Sequence, residues 1–326
     1  MALDPAAYRL SEDDHQRIFE TRIKPRLFVD ASPSAAPVAV IFGGQPGSGK
    51  SAALDWAAVQ LAQSGGAVQI IGDDLRDYHP ANAQLMREDD RIAAFYTGPD
   101  SGRWVEKAIA YAKEQRFNVI IEGTMRDSNV VAATMKGFRE AGYTVDARVL
   151  AVSFAFSEQG IHQRYELQKA TRGQGRMTTP EAHQAAYDGL PVTVSRIEAE
   201  RLADRLTIYR RGVVSIYENE LRDGVWLRPP QAAAVVEAER ARPMTAQEAD
   251  AYREGYRALA AMIRAPARGA TPEEIAKIDQ LLAAAVPLET RITDYWTRVA
   301  AKARSAAPSD APSLTPDQSL NRPRRR

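Results

Sequence analysis

Eight residues at 44–51, GQPGSGKS, constrain this chain more than any others, because they fit the G-x-x-x-x-G-K-S pattern of a loop that wraps phosphate. Along Gly44, Gln45, Pro46, Gly47, Ser48 and Gly49 the glycines let the backbone curl until its N–H groups point at one centre. Lys50 then reaches terminal phosphates, and Ser51 offers a hydroxyl to magnesium. Such a loop works between a strand and a helix N-terminus, whose dipole also favours an anion. The apolar run VAVIF at 38–42 precedes it and a stretch of helical propensity follows, so the context agrees.

Further apolar runs, AVQIIG at 67–72, NVIIEG at 118–123 and TVDARVLAV at 144–152, alternate with stretches of helical composition at 50–63, 101–116 and 127–142. Continuous β-branched runs separated by helical lengths predict a parallel sheet covered on both faces. The expected fold class is therefore α/β: a P-loop NTPase or kinase-like, mainly parallel sheet with helices on both faces, plus a C-terminal helical appendage. Residues 1–36 read as a helical lead-in, capped by Ser11 and ended by Pro25, Pro33 and Pro37. Residues 37–227 read as the P-loop kinase domain, closing around Gly212 on a stretch that reads as a hairpin, with a distorted helix as the alternative. Residues 228–305 read as a helical extension with one helix start at TPEE, 271–274, and no recognisable motif lies in it. Residues 306–326 are too rich in Ser, Pro and Asp to pack and read as a disordered tail.

Composition narrows the function classes. With 43 basic and 42 acidic residues in 326, the formal charge is +1, so no global field points to nucleic acid or an anionic membrane as partner. The absence of cysteine excludes disulfides, thiolate nucleophiles and Cys-ligated metals, and four scattered histidines do not make a His-built site. No apolar stretch approaches a spanning helix and the N-terminus turns acidic early, so the expectation is a cytoplasmic, soluble chain.

Three more clusters carry chemistry. Asp73, in GDDLRDYHP at 72–80, ends the second predicted strand, where ligands of an open α/β sheet bind, and a carboxylate there can take a proton from a hydroxyl. Glu122 ends the third run, with Thr124 and Arg126 just beyond to hold hydroxyls or phosphate, and Glu106 lies on the preceding helix. Arg164, Arg172 and Arg176 flank a glycine-containing loop suited to a mobile lid, and a guanidinium fork can clamp phosphoryl oxygens. Singly, each has a plain structural explanation: a helix cap, a strand-end turn, a solvated basic face. The phosphate loop weights them toward one site.

With these motifs in this order, the chain resembles the zeta toxin family of bacterial toxin–antitoxin systems over about 35–220. The resemblance rests on GQPGSGKS, on Asp73, Arg76, His79 and Pro80, on Glu122 to Thr124, on Arg164 to Glu166, and on Arg176 with His183 seven residues later. It implies an ATP-dependent (or GTP-dependent) kinase, using Mg2+, that phosphorylates the 3-hydroxyl of UDP-N-acetylglucosamine and blocks cell-wall precursor synthesis. Asp73 would be the base, and Lys50, Arg164 and Arg176 would stabilise the transferring group. Arg76, Glu106, Glu122, Thr124 and Arg126 would hold the nucleotide sugar, and a protein antitoxin would sit near the N-terminal helical region. TRGQGR at 171–176 departs from the family's lid segments, and the helices after 228 have no family counterpart. The acceptor could therefore be another nucleotide, a dinucleotide or an antibiotic hydroxyl. The reading from a different class is a nucleotide-gated binding module, which would need neither a base nor lid arginines.

Overall fold

The apolar runs become β1 (Val38–Gly43), β2 (Val68–Ile71), β3 (Val119–Glu122) and β4 (Thr144–Leu150), and the hairpin becomes β5 (Arg205–Arg210) and β6 (Val214–Arg222), followed by the short β7 (Val225–Trp226). The computed structural model describes residue 4 and residues 6–285; the expected tail at 306–326 and residues 286–305 of the extension lie outside the described residues. The strands form one sheet in the order β2-β3-β1-β4-β5-β6-β7. From β2 to β5 all pairings are parallel, with Ile41 of β1 opposite Ile121 on one side and Ala147 on the other. β6 and β7 add antiparallel at the edge. This is the expected fold class.

Helices cover both faces. The lead-in forms α1 (Glu12–Ile18), a π-helical turn (Phe19–Ile23) and α2 (Lys24–Leu27). Then follow α3 (Lys50–Ala62), α4 (Gly72–Leu75), α5 (Asn82–Asp89), α6 (Ala93–Gln115), α7 (Ser128–Glu140), α8 (Phe154–Arg172), α9 (Pro180–Ala199), α10 (Ala232–Ala241), α11 (Ala246–Ile263) and α12 (Pro272–Ala285). The larger core places Trp104 of α6, Phe138 of α7 and Ile197 of α9 against Val145 and Leu206 of the sheet. A smaller one packs Ala53, Leu54 and Ala57 of α3 on Val40 and Phe42. Each large apolar side chain so buried contributes about 1.5–3 kcal/mol. No helix among the described residues is long and apolar enough to cross a membrane.

Two local expectations need correction. Ser11 does cap α1, accepting from the Asp14 N–H, but Pro25 does not end the lead-in; it sits in the first turn of α2, where its missing N–H costs nothing. The helix expected over 101–116 begins eight residues earlier, at Ala93, and runs through Pro99. Tertiary contacts override the proline there: Arg76 donates to the Ala94 carbonyl at 2.9 Å, and the Ser101 hydroxyl donates to the Gly72 carbonyl. These same contacts dock α6 under the Asp73 segment.

The parallel strands bring their carboxyl ends to one edge of the sheet, which is where loops converge in such folds. Along that edge stand Asp73 after β2, Glu122 at the end of β3, the 44–51 loop after β1, Ser153 after β4 and Gly212 after β5. Beyond the sheet, α10 packs on α9 and the β5–β6 hairpin, and α11 packs on α8. The TPEE signal holds: Thr271 and Glu274 exchange backbone-to-side-chain hydrogen bonds at the start of α12.

Candidate active site

The loop after β1 takes the conformation its glycines permit. Gly47 and Gly49 have φ of 77° and 86°, in the left-handed region that residues with a Cβ avoid. Gly47 is also wedged against α8, where an added Cβ would lie 2.0 Å from the Ser157 carbonyl oxygen. Lys50 folds back over the loop, its buried ammonium donating to the carbonyls of Gly44 at 2.7 Å and Gln45 at 3.2 Å. Burial lowers the Lys50 pKa, and the Glu122 carboxylate, 3.5 Å away, opposes that shift. Ser51 is exposed in the first turn of α3 and makes no side-chain hydrogen bond among the described residues. The buried Ser48 hydroxyl has no hydrogen-bond partner among the described residues.

In front of this loop the expected charges meet. Asp73 takes Arg176 at 2.7 Å on one carboxylate oxygen and Arg76 at 3.2 Å on the other. Burial alone would raise the Asp73 pKa, but Arg176, Arg76, Arg164 and Lys50 together outweigh it and hold the carboxyl below its usual value. Arg164, on α8, donates to the Thr178 hydroxyl at 2.9 Å, tying the helix to the segment that carries Arg176. Lys50, Asp73, Arg76, Glu122, Arg164 and Arg176 thus form one electrostatic group. Three expected residues stand apart from it. Thr124 is half-buried in the loop after β3, while Arg126 and Glu106 are exposed. None of the three side chains makes a hydrogen bond or ion pair among the described residues. Arg172 is exposed at the end of α8.

Sequence reasoning missed Asp90, Ser157 and Arg240, which with Gln45 and His183 hold this group in place. Asp90 is buried and anchors the lid segment, accepting from the Gly175 N–H at 2.9 Å and the Tyr165 hydroxyl at 2.8 Å. Behind the loop, the Gln45 side chain donates to the Val152 carbonyl at 2.7 Å and the Ser157 hydroxyl at 3.2 Å. Ser157 meets His183 Nε2 at 2.8 Å, and Arg240 of α10 donates to Gln45 Oε1 at 2.9 Å. Local sequence carries no signal for these, since Asp90 lies in an ordinary charged run and Arg240 in an Ala-rich helix. A cleft of about 360 Å3 opens beside them at the ends of β4 and β5, lined by Val152, Gln163, Arg210, Arg211, Arg242 and Glu248 among others.

A family model described as Zeta toxin matches residues 26–222, more than half of the chain. Toxin zeta of Streptococcus agalactiae is 29% identical over 209 residues, 64% of this chain and 70% of that protein. Toxin PezT of Streptococcus pneumoniae serotype 4 is 29% identical over 188 residues, 57% of this chain and 74% of that protein. A chain from the structure of the PezAT chromosomal toxin–antitoxin system of Streptococcus pneumoniae aligns with a TM-score of 0.66 at 22% identity, covering 79% of this chain and all 100% of that one. A chain of AvrRxo1-ORF1:AvrRxo1-ORF2 with sulphate ions aligns with a TM-score of 0.51 at 12% identity, covering 85% and 88%. At these identities the structural likeness establishes a shared fold.

Proposed function

This chain belongs to the zeta toxin family, and from that premise we propose that it is an ATP- or GTP-dependent kinase that phosphorylates the 3-hydroxyl of the amino sugar of UDP-N-acetylglucosamine, acting as a growth-inhibiting toxin. The observation that carries the reading is the meeting of Asp73, Arg176, Arg164 and Lys50 in front of a phosphate-wrapping loop. Loop N–H groups and Lys50 hold the donor polyphosphate, and the cleft at the ends of β4 and β5 takes its nucleoside. The acceptor enters from the β2–β3 side, with Arg76, Glu106, Glu122, Thr124 and Arg126 as its binding residues.

The acceptor hydroxyl gives its proton to the Asp73 carboxylate as its oxygen attacks the γ-phosphorus, and the nucleoside diphosphate leaves with the bond electrons. Arg176 shields Asp73 in the structure, so the phosphoryl oxygens must draw that guanidinium toward themselves before Asp73 becomes an effective base. Arg164 and Arg176 then spread over the developing charge. The residues fit magnesium: Ser51 has an uncommitted hydroxyl at the helix start and would hold the ion, which when bound neutralises charge on the phosphate oxygens. Residues 37–227 are the proposed kinase unit and 228–305 its extension. A protein antitoxin against α1 and α2 and action in the cytoplasm complete the reading, supported by the toxin–antitoxin setting of PezAT.

The test is incubation with ATP or GTP, magnesium and a panel of nucleotide sugars, dinucleotides and aminoglycosides, with products read by mass. One added phosphoryl group on UDP-N-acetylglucosamine is expected. Phosphorylation of only a dinucleotide or drug would move the acceptor, and no product from any donor would sink the kinase reading.

A further inference from the structure

Arg240 lies on α10, beyond the residues that match the family, and is only 8% exposed. A buried guanidinium normally demands a carboxylate, because an uncompensated charge in the interior is costly. Arg240 has none within ion-pair distance among the described residues. Its partners are neutral: the Tyr187 ring face at 3.9 Å, the Tyr187 carbonyl at 2.7 Å and the Gln45 side-chain oxygen at 2.9 Å. Its position in the last turn of α10 offsets part of the burial cost, since helix C-termini favour cations.

Gln45 is fully buried and all of its amide is committed. With its oxygen on Arg240, its nitrogen must face Val152 and Ser157, so one contact fixes the orientation of the whole group. The backbone carbonyl of the same residue accepts from the Lys50 ammonium. A chain of contacts therefore runs from Arg240 through the Gln45 side chain to the loop backbone and on to Lys50. Arg268, the other arginine of the extension with so little side-chain exposure, is paired with the Glu166 carboxylate at 2.7 Å, whereas Arg240 is buried against this neutral residue of the loop.

We infer that Arg240 is a positioning residue for the phosphate loop, so that donor-nucleotide affinity depends on a helix outside the family-matched segment. The inference rests on the phosphotransfer reading. Binding in front of the loop requires its N–H groups to stay convergent, and Arg240 braces the loop from behind, without touching the nucleotide itself.

The experiment is calorimetric titration of the full chain with Mg-ATP, alongside steady-state KM and kcat. Arg240→Ala is expected to weaken ATP binding and raise KM about tenfold or more while kcat stays within about threefold, the signature of lost binding geometry. Arg240→Lys, which keeps the charge but cannot span both Tyr187 and Gln45, should fall between. Val236→Ala thins the packing of the same helix and should lower the unfolding temperature with ATP affinity within about twofold of wild type. In a Gln45→Leu background, adding Arg240→Ala should cost less than about twofold, because the linkage is already cut. Folded Arg240→Ala that binds ATP as wild type does, or full additivity with Gln45→Leu, would overturn the inference. If the alanine variant does not fold, Arg240→Lys and Gln45→Leu decide it by the same KM shift. A wild-type chain that binds neither ATP nor GTP removes the phosphotransfer reading and this inference with it, whereas wild-type binding with an unmoved Arg240 series removes the inference alone.

Discussion

The two sides of the phosphate loop are built on different physics. In front, Lys50, Asp73, Arg76, Glu122, Arg164 and Arg176 meet as charges, all but Lys50 partly open to solvent, on three strand ends, α8 and a lid segment. Behind, Gln45, Ser157 and His183 meet as neutral hydrogen-bonding groups in the dry interior, with Arg240 the single charge. Charges that face solvent can exchange partners cheaply, because water screens each rearrangement. Neutral groups in the interior cannot, because each broken hydrogen bond strands a polar atom. The front therefore suits partners that change during a reaction, and the back suits a shape that must not change.

Breaking the front should give the larger effects. Arg164→Ala and Arg176→Ala are each expected to lower turnover about 10³ to 10⁵-fold, more than they weaken ATP binding, with poor rescue by lysine. Arg172→Ala, at the exposed end of α8 and outside the group, should cost under about tenfold. Steady-state kinetics of the three decides it: equal small losses would reduce the front to a generic basic loop. Next in size, Asp73→Asn should lower turnover about 10² to 10⁴-fold with ATP affinity largely kept. A collapse of ATP affinity in that variant would make Asp73 a scaffold for the arginines instead of a base.

On the back, Ser157→Ala removes the hydroxyl that meets both His183 and Gln45, and should weaken ATP binding about 2 to 10-fold without changing kcat. A kcat loss as large as that of Asp73→Asn would erase the distinction between the two sides.

The smallest effect is on stability. Burial holds His183 below its usual 6.5, with Arg240 adding to the shift, and burial pushes His162 down to about 4, with Lys277 and His183 adding. Both are harder to protonate folded than unfolded, so the unfolded chain takes up more protons as pH falls. Stability present above about pH 6.5 is then lost progressively as pH drops toward 4. Unfolding midpoints measured across that window should decline, and His162→Gln should flatten the decline; a flat wild-type profile would mean the interior admits the charged form.

Much of the front was legible because strand ends in a parallel sheet are punctuated. Asp73 and Glu122 each close an apolar run, and that pattern alone puts them at the loop edge of the sheet. The strand order was not legible. β1 is first in the chain yet lies between β3 and β4, a choice set by which helices pack together across the sheet and not by any strand's own composition. Proline misled at Pro25, because the first turn of a helix tolerates a residue without an N–H. Glu106, Thr124 and Arg126 are read from their place around the third apolar run and again from the family resemblance, and no side-chain bond among the described residues ties them to the charged group.

The sequence by itself determined the fold class, the phosphate loop and the side of the sheet on which chemistry is possible, since these follow from local spacing: glycines that free φ, a strand before, a helix after. Only the tertiary structure decided that Arg176 sits on Asp73, that Asp90 anchors the lid segment, and that Arg240 reaches Gln45 across 195 residues of chain. Periodicity reports which face of an element is apolar. It says nothing of which distant helix will bury one arginine, because that contact is stabilised only once every other element has packed around it.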